Sequence, residues 1–88
     1  MYDITMFEMK TCPYCAEARR LIALFLEKNP CYREVKINYI DEESERALAN
    51  SHDYYFVPAF YVNSKKMHEG PIDMGKVKKV FEAAFIKP

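Results

Sequence analysis

The chain has 88 residues, of which 50% are hydrophobic and 15% aromatic; this suits one small domain, residues 1–88, with a modest core, and excludes a disordered chain. Thirteen Lys and Arg balance thirteen Asp and Glu, which argues against a partner bound mainly through bulk charge, such as nucleic acid or an anionic membrane. No apolar run approaches the roughly 18 residues of a membrane span, and Met1-Tyr2-Asp3-Ile4-Thr5 does not read as a signal peptide, so the expectation is a soluble, cytoplasmic monomer.

In chain order, Tyr2–Glu8 predicts a strand, rich in β-formers with Ile4 and Met6 on one face. Met9–Pro13 breaks it, and Pro13 suits the first turn of a helix, where its missing N–H costs nothing. That helix runs to about Lys28 with an apolar face of Ala16, Ala18, Leu21, Ile22, Leu24, Phe25 and Leu26, and Asn29-Pro30 stops it. Cys31–Ile37 predicts a second strand. Asp41 reads as an N-cap and Glu42, Glu43 and Glu45 as the acidic start of a short helix ending near Asn50. Ser51–Tyr55 is a loop, and Tyr54, Tyr55 and Phe56 read as core and rim packing. Ala59–Val62 and Lys65–His68 form a hairpin about Asn63-Ser64. After Glu69-Gly70-Pro71 a last helix spans Ile72 to Ile86, with Val77, Val80, Phe81, Ala84 and Phe85 as its apolar stripe. The order β-α-β-α-β-β-α, with two β-α-β crossovers, predicts a four-stranded mixed sheet flanked by three helices. Right-handed crossovers put the first and third helices on one face and the second on the other.

Cys12-Pro13-Tyr14-Cys15 stands where the first strand hands over to the first helix. A thiolate at a helix N-terminus is stabilised by unpaired N–H groups and the positive end of the dipole, so Cys12 reads as the nucleophile. Cys15, one turn further in, can attack a mixed disulfide on Cys12. Zinc needs four ligands, and Cys31, His52 and His68 show no ligand spacing to complete the pair. A copper chaperone places its methionine two residues before the first cysteine, whereas Met9 lies one residue further back, Pro13 stands inside the pair, and the order of elements differs. His52 and His68 read as surface or polar-edge residues, and Cys31 as a half-buried packing residue.

This chain resembles the dithiol glutaredoxins across essentially its whole length: Cys-Pro-Tyr-Cys after a short first strand, and Phe56-Val57-Pro58 where that family carries Thr-Val-Pro. The resemblance implies a thioredoxin-like fold, a cis peptide bond before Pro58, and a Val57 backbone that pairs with substrate beside Cys12. It implies a thiol–disulfide oxidoreductase with Cys12 and Cys15 as the redox group, no bound cofactor and glutathione as co-substrate. Glutathione contacts would come from Lys10, Tyr14, Val57, Pro58, Gly70 and Asp73, with N–H groups at the start of the last helix taking the γ-glutamyl end. Glu69 and Ile72 depart from the family pattern of Gly-Gly followed by Ser or Thr, and Glu69 is expected to weaken glutathione binding by adding negative charge. One alternative keeps the chemistry but makes a flavoenzyme reductase the electron source, with ribonucleotide reductase as the acceptor. Another is a non-enzymatic module sharing an iron–sulfur cluster, against which Pro13 argues.

Overall fold

Ile4–Glu8 (β1) and Ala59–Val62 (β3) carry apolar side chains on both faces, as central strands of a covered sheet must. Ile4, Met6, Phe60 and Val62 enter the larger core cluster, while Phe7, Ala59 and Tyr61 enter a smaller one on the other side. These strands pair antiparallel, Ile4 opposite Val62 and Phe7 opposite Ala59. Ile37–Asp41 (β2) lies parallel to β1 on one edge, and Lys65–Glu69 (β4) lies antiparallel to β3 on the other, giving the order β2-β1-β3-β4. The computed structural model describes residues 1–86; Lys87 and Pro88, the last two of the expected domain, lie outside the described residues.

Among the described residues, three α-helices flank this four-stranded mixed sheet, as expected. Helix α1, Pro13–Lys28, buries Cys15, Ala18, Ile22 and Phe25; α3, Met74–Ala84, buries Val77, Val80, Phe81 and Ala84. Both pack into the larger cluster. Helix α2, Arg46–Asn50, covers the opposite face with Ala49, beside Phe7 and Tyr61. Phe25 and Phe81 stack at 4.9 Å between ring centroids, with Tyr32 closing over both. The hairpin turn has Asn63 and Ser64 at φ 50° and 64°, the two positive angles that match the twist of its strands.

Several expectations are corrected. The second strand begins at Ile37, because Pro30–Glu34 is a 3-10 turn. Pro30 suits the turn's first position, the Asn29 side chain donates to the Phe25 carbonyl at 2.9 Å, and Tyr32 must curl back to reach Phe25 and Phe81. Cys31 consequently sits exposed on this turn instead of half-buried in a strand. Asp41 ends β2, and its carboxylate organises a turn by accepting from the Glu43 N–H and the Ser44 hydroxyl, so α2 starts only at Arg46. Only β1-α1-β2 is a parallel crossover, since β3 returns antiparallel. The five residues of α2 rise only about 7.5 Å, too little to carry the chain back along a five-residue strand. Ala16 faces solvent, and Tyr55 and Phe56 are exposed instead of packed.

Phe81 is 1% exposed beneath Phe25 and Tyr32, so Phe81→Ala is expected to cost about 3–5 kcal/mol in a denaturant melt. Phe56→Ala, removing a ring that is 66% exposed, is expected to stay within about 0.5 kcal/mol of the parent.

Candidate functional site

The bend between β1 and α1 is closed by the Cys12 N–H donating to the Met9 carbonyl at 3.2 Å. Cys12 is the N-cap of α1: its backbone is extended, its Sγ accepts from the Cys15 N–H at 3.3 Å, and Pro13 follows as the first helical residue. A thiolate can thus use a helix-start donor that would otherwise lack a partner. The first turn has no acidic side chain to oppose that charge. Just upstream, Glu8 pairs with Arg19 and ties the end of β1 to α1.

The two thiols differ in accessibility, and all three cysteines are free. Cys12 is half-buried, whereas Cys15 is fully buried in the larger core cluster. Burial, reinforced by its contact with Cys12, pushes the Cys15 thiol up to about 12. Cys15 therefore holds its proton near neutral pH while Cys12 presents the reachable sulfur.

Across from Cys12 runs the loop into β3. The Val57–Pro58 peptide bond is cis, and the Cys12 Sγ lies 3.9 Å from the Val57 carbonyl oxygen. The loop is anchored from β4 at two adjacent points. The Gly70 N–H donates to the Pro58 carbonyl at 2.8 Å, with Gly70 at φ +84°, a conformation that favours glycine. Glu69 Oε2 accepts from the backbone N–H groups of Tyr55 and Phe56 at 2.8 and 3.0 Å, and Oε1 receives the Lys66 ammonium at 2.7 Å. The Glu69 charge, expected to stand free near a ligand, is taken up by these partners, which pull its carboxyl down to about 2.

The structure brings Cys12, Cys15, Val57, Pro58 and Gly70 into one continuous arrangement. Tyr14 projects from the first turn and is 56% exposed. Lys10 is drawn to the end of β2, 3.9 Å from Asp41. Asp73 caps α3, its Oδ1 accepting from the Lys76 N–H at 2.8 Å. Ile72 turns into the core. His68 faces the Pro71 carbonyl and His52 packs on Phe7 and Tyr61, both near the protein edge. Among the described residues no group of three or more His, Cys, Asp or Glu is placed to hold a metal ion, and no helix is long and apolar enough to cross a membrane. Sequence reasoning missed the bonds that Glu69 accepts from Tyr55 and Phe56, which lie fourteen and thirteen residues away with no local pattern to join them.

The chain is 32% identical over 74 residues to Glutaredoxin 1 of Rickettsia conorii (strain ATCC VR-613 / Malish 7), spanning 83% of this chain and 68% of that protein. The chain belongs to the glutaredoxin family. Glutaredoxin 1 of Rickettsia felis (strain ATCC VR-1525 / URRWXCal2) matches over the same shares of both chains at 31% identity. No family model matches. A solved structure described as that of a malarial protein superposes with a TM-score of 0.74, covering 98% of this chain and 99% of that one at 11% identity, which speaks to the fold alone. This glutaredoxin thus has the thioredoxin-like fold and is a thiol–disulfide oxidoreductase.

Two outcomes follow for this glutaredoxin. Brief iodoacetamide treatment at about pH 8 is expected to label Cys12 and the exposed Cys31 while sparing Cys15, as read by peptide mass mapping. Cys15 labelled as quickly as Cys31 would contradict its burial. For Glu69, the folded carboxyl binds its proton less readily than the unfolded one, so its stabilisation is complete above the unfolded value and fades as the pH falls through the folded value. The melting-temperature gap between the parent and Glu69→Gln is therefore expected to be full at about pH 6 and to shrink from about pH 4.3 downward. A gap that does not change down to pH 2 would show that the ionised form is not the one bound.

Proposed function

We propose that this chain is a cytoplasmic, monomeric, dithiol glutaredoxin, a single domain over residues 1–88 that uses Cys12 and Cys15 as its redox group, glutathione as co-substrate and no bound cofactor. The observation that carries this reading is the Cys12 sulfur at the head of α1, facing the Val57 carbonyl across 3.9 Å. A substrate segment laid along Val57 as an added strand brings its own disulfide to that sulfur. Lys10, Tyr14, Val57, Pro58, Gly70 and Asp73 are the proposed glutathione contacts, with the start of α3 taking the γ-glutamyl carboxylate.

The Cys12 thiolate attacks one sulfur of the substrate disulfide. A new S–S bond forms, the old one breaks, and the departing thiolate leaves with the electron pair and takes a proton from water. When the substrate is a glutathionylated protein, attack falls on the glutathione sulfur. The protein thiol leaves, and a second glutathione then releases oxidised glutathione from Cys12. When the substrate is a protein disulfide, Cys15 loses its proton to water and attacks Cys12, expelling the substrate's second thiol and closing a Cys12–Cys15 disulfide. Two glutathione molecules, oxidised to one glutathione disulfide, restore both thiols. The charge and hydrogen bond of Cys12 help hold the Cys15 proton; converting Cys12 to a neutral mixed disulfide removes its charge and favours release of the proton when Cys15 must act.

A second reading, electron supply by a flavoenzyme reductase with ribonucleotide reductase as acceptor, is favoured by one observation: Lys10 and Asp73 are already engaged, by Asp41 and by the Lys76 amide. A coupled assay offering glutathione with its reductase, or thioredoxin reductase with NADPH, separates the two donors. Cys12→Ser is expected to abolish both activities. Cys15→Ser is expected to retain deglutathionylation and lose reduction of a protein disulfide by the dithiol route. Equal loss of both in a folded Cys15→Ser protein would refute the resolving role.

A further inference from the structure

Glu69 ends β4, and its carboxylate reaches across to the chain just ahead of Val57. One oxygen takes both consecutive amides, of Tyr55 and Phe56; the other takes the Lys66 ammonium. The next residue, Gly70, binds the Pro58 carbonyl at 2.8 Å. Val57 is therefore bracketed, held on its N-terminal side by a side chain and on its C-terminal side by a backbone bond. The rings on the two clamped residues face solvent, Tyr55 at 84% exposed and Phe56 at 66%. Tyr54 just upstream stacks on Phe7 and donates to Glu42, but the rings of Tyr55 and Phe56 give no such hold, and at these two residues the backbone N–H groups are fixed by donating to Glu69.

We propose that Glu69 is a positioning residue for this glutaredoxin, fixing the Tyr55–Phe56 backbone so that the Val57 carbonyl stands opposite the Cys12 sulfur. The proposal rests on the reading of Val57 as the strand that receives substrate. Lys66 acts through Glu69, orienting the carboxylate from three residues upstream on the same strand. Charge-assisted bonds from a carboxylate to backbone N–H groups are stronger than neutral ones, so one side chain can order a loop with little other packing. The same bonds occupy the Glu69 charge and leave less of it to oppose an anionic substrate.

Amide hydrogen exchange of the intact protein tests the clamp without reference to any substrate. The Tyr55 and Phe56 amides are expected to be protected in the parent and to exchange at least about tenfold faster in Glu69→Ala, with the Lys76 amide unchanged. Steady-state kinetics test the consequence. With a glutathionylated peptide, and separately with insulin disulfides reduced at the expense of dithiothreitol, Glu69→Ala is expected to raise KM about fivefold with kcat within about twofold. Iodoacetamide, which needs no loop, should alkylate Cys12 at the parental rate. Glu69→Gln keeps an acceptor oxygen and is expected to recover most of the KM. Should Glu69→Ala fail to fold, Lys66→Met is the second variant, with the same direction of change and a smaller size. Rapid exchange of both amides in the parent, or an unchanged KM for insulin in a folded variant, overturns the proposal. Failure of the glutathione reading would instead appear as absent turnover of the glutathionylated peptide by the parent, with the exchange and insulin results intact.

Discussion

Antiparallel pairing of β1 with β3, in a register that sets Phe7 opposite Ala59, brings the end of one strand beside the start of the other. The chain leaving β1 becomes the bend that delivers Cys12 to the head of α1. The chain entering β3 is the cis Val57–Pro58 loop. A slip of one residue in either strand would turn its side chains to the opposite face, taking Ile4 and Met6, or Phe60 and Val62, out of the larger cluster. The apolar pattern therefore does more than stabilise the sheet. It sets where two segments far apart in sequence meet, and the 3.9 Å between the Cys12 sulfur and the Val57 carbonyl depends on it.

The same helix start gives its two cysteines opposite characters. Cys12 caps α1 and reaches the surface; Cys15, one turn further along, falls on the stripe that continues through Ala18, Ile22 and Phe25 into the core. Helix periodicity puts Cys15 on that stripe, since residues three and four apart share a face, whereas Cys12 stands outside the helix as its cap, at the open end of the stripe. A buried thiol that keeps its proton competes poorly for incoming disulfides, and its proximity to Cys12 fits the resolving role proposed for it. Selectivity between the sulfurs is in this way a consequence of where α1 begins.

Local signals were the legible ones. The Pro13 helix start, the Asn63-Ser64 hairpin and the face shared by Ile4 and Met6 on β1 can all be read from neighbouring residues, and the structure places them as expected. Between Cys31 and Glu45 local preference and tertiary packing diverge. Cys31–Ile37 alternates like a strand, yet the ring of Tyr32 is needed against Phe25 and Phe81, and a tight 3-10 turn delivers it. Asp41 has the chemistry of a helix cap, and it performs a related task one element early by closing a turn. Around the candidate site the cysteine pair and Val57-Pro58 stood out as motifs. The contacts of Lys10 and Glu69 did not, because each partner comes from another element: Asp41 on β2, and Tyr55 and Phe56 in the loop.

Glu69 shows how a departure from a family pattern can change meaning once its partners are known. Read alone, a carboxylate in place of glycine is an added negative charge and a larger side chain. In the fold it stands at the end of an edge strand, beside a loop whose N–H groups need acceptors, with Lys66 on its own strand to balance it. Gly70 keeps the backbone conformation at φ +84° and the bond to Pro58 that this position requires. The two adjacent residues divide the work: glycine supplies the close backbone approach on one side of Val57, and the glutamate supplies side-chain acceptors on the other. Exposed Tyr55 and Phe56 can then face solvent just ahead of Val57, because their backbone N–H groups are held by donating to Glu69 and not by burial of their rings.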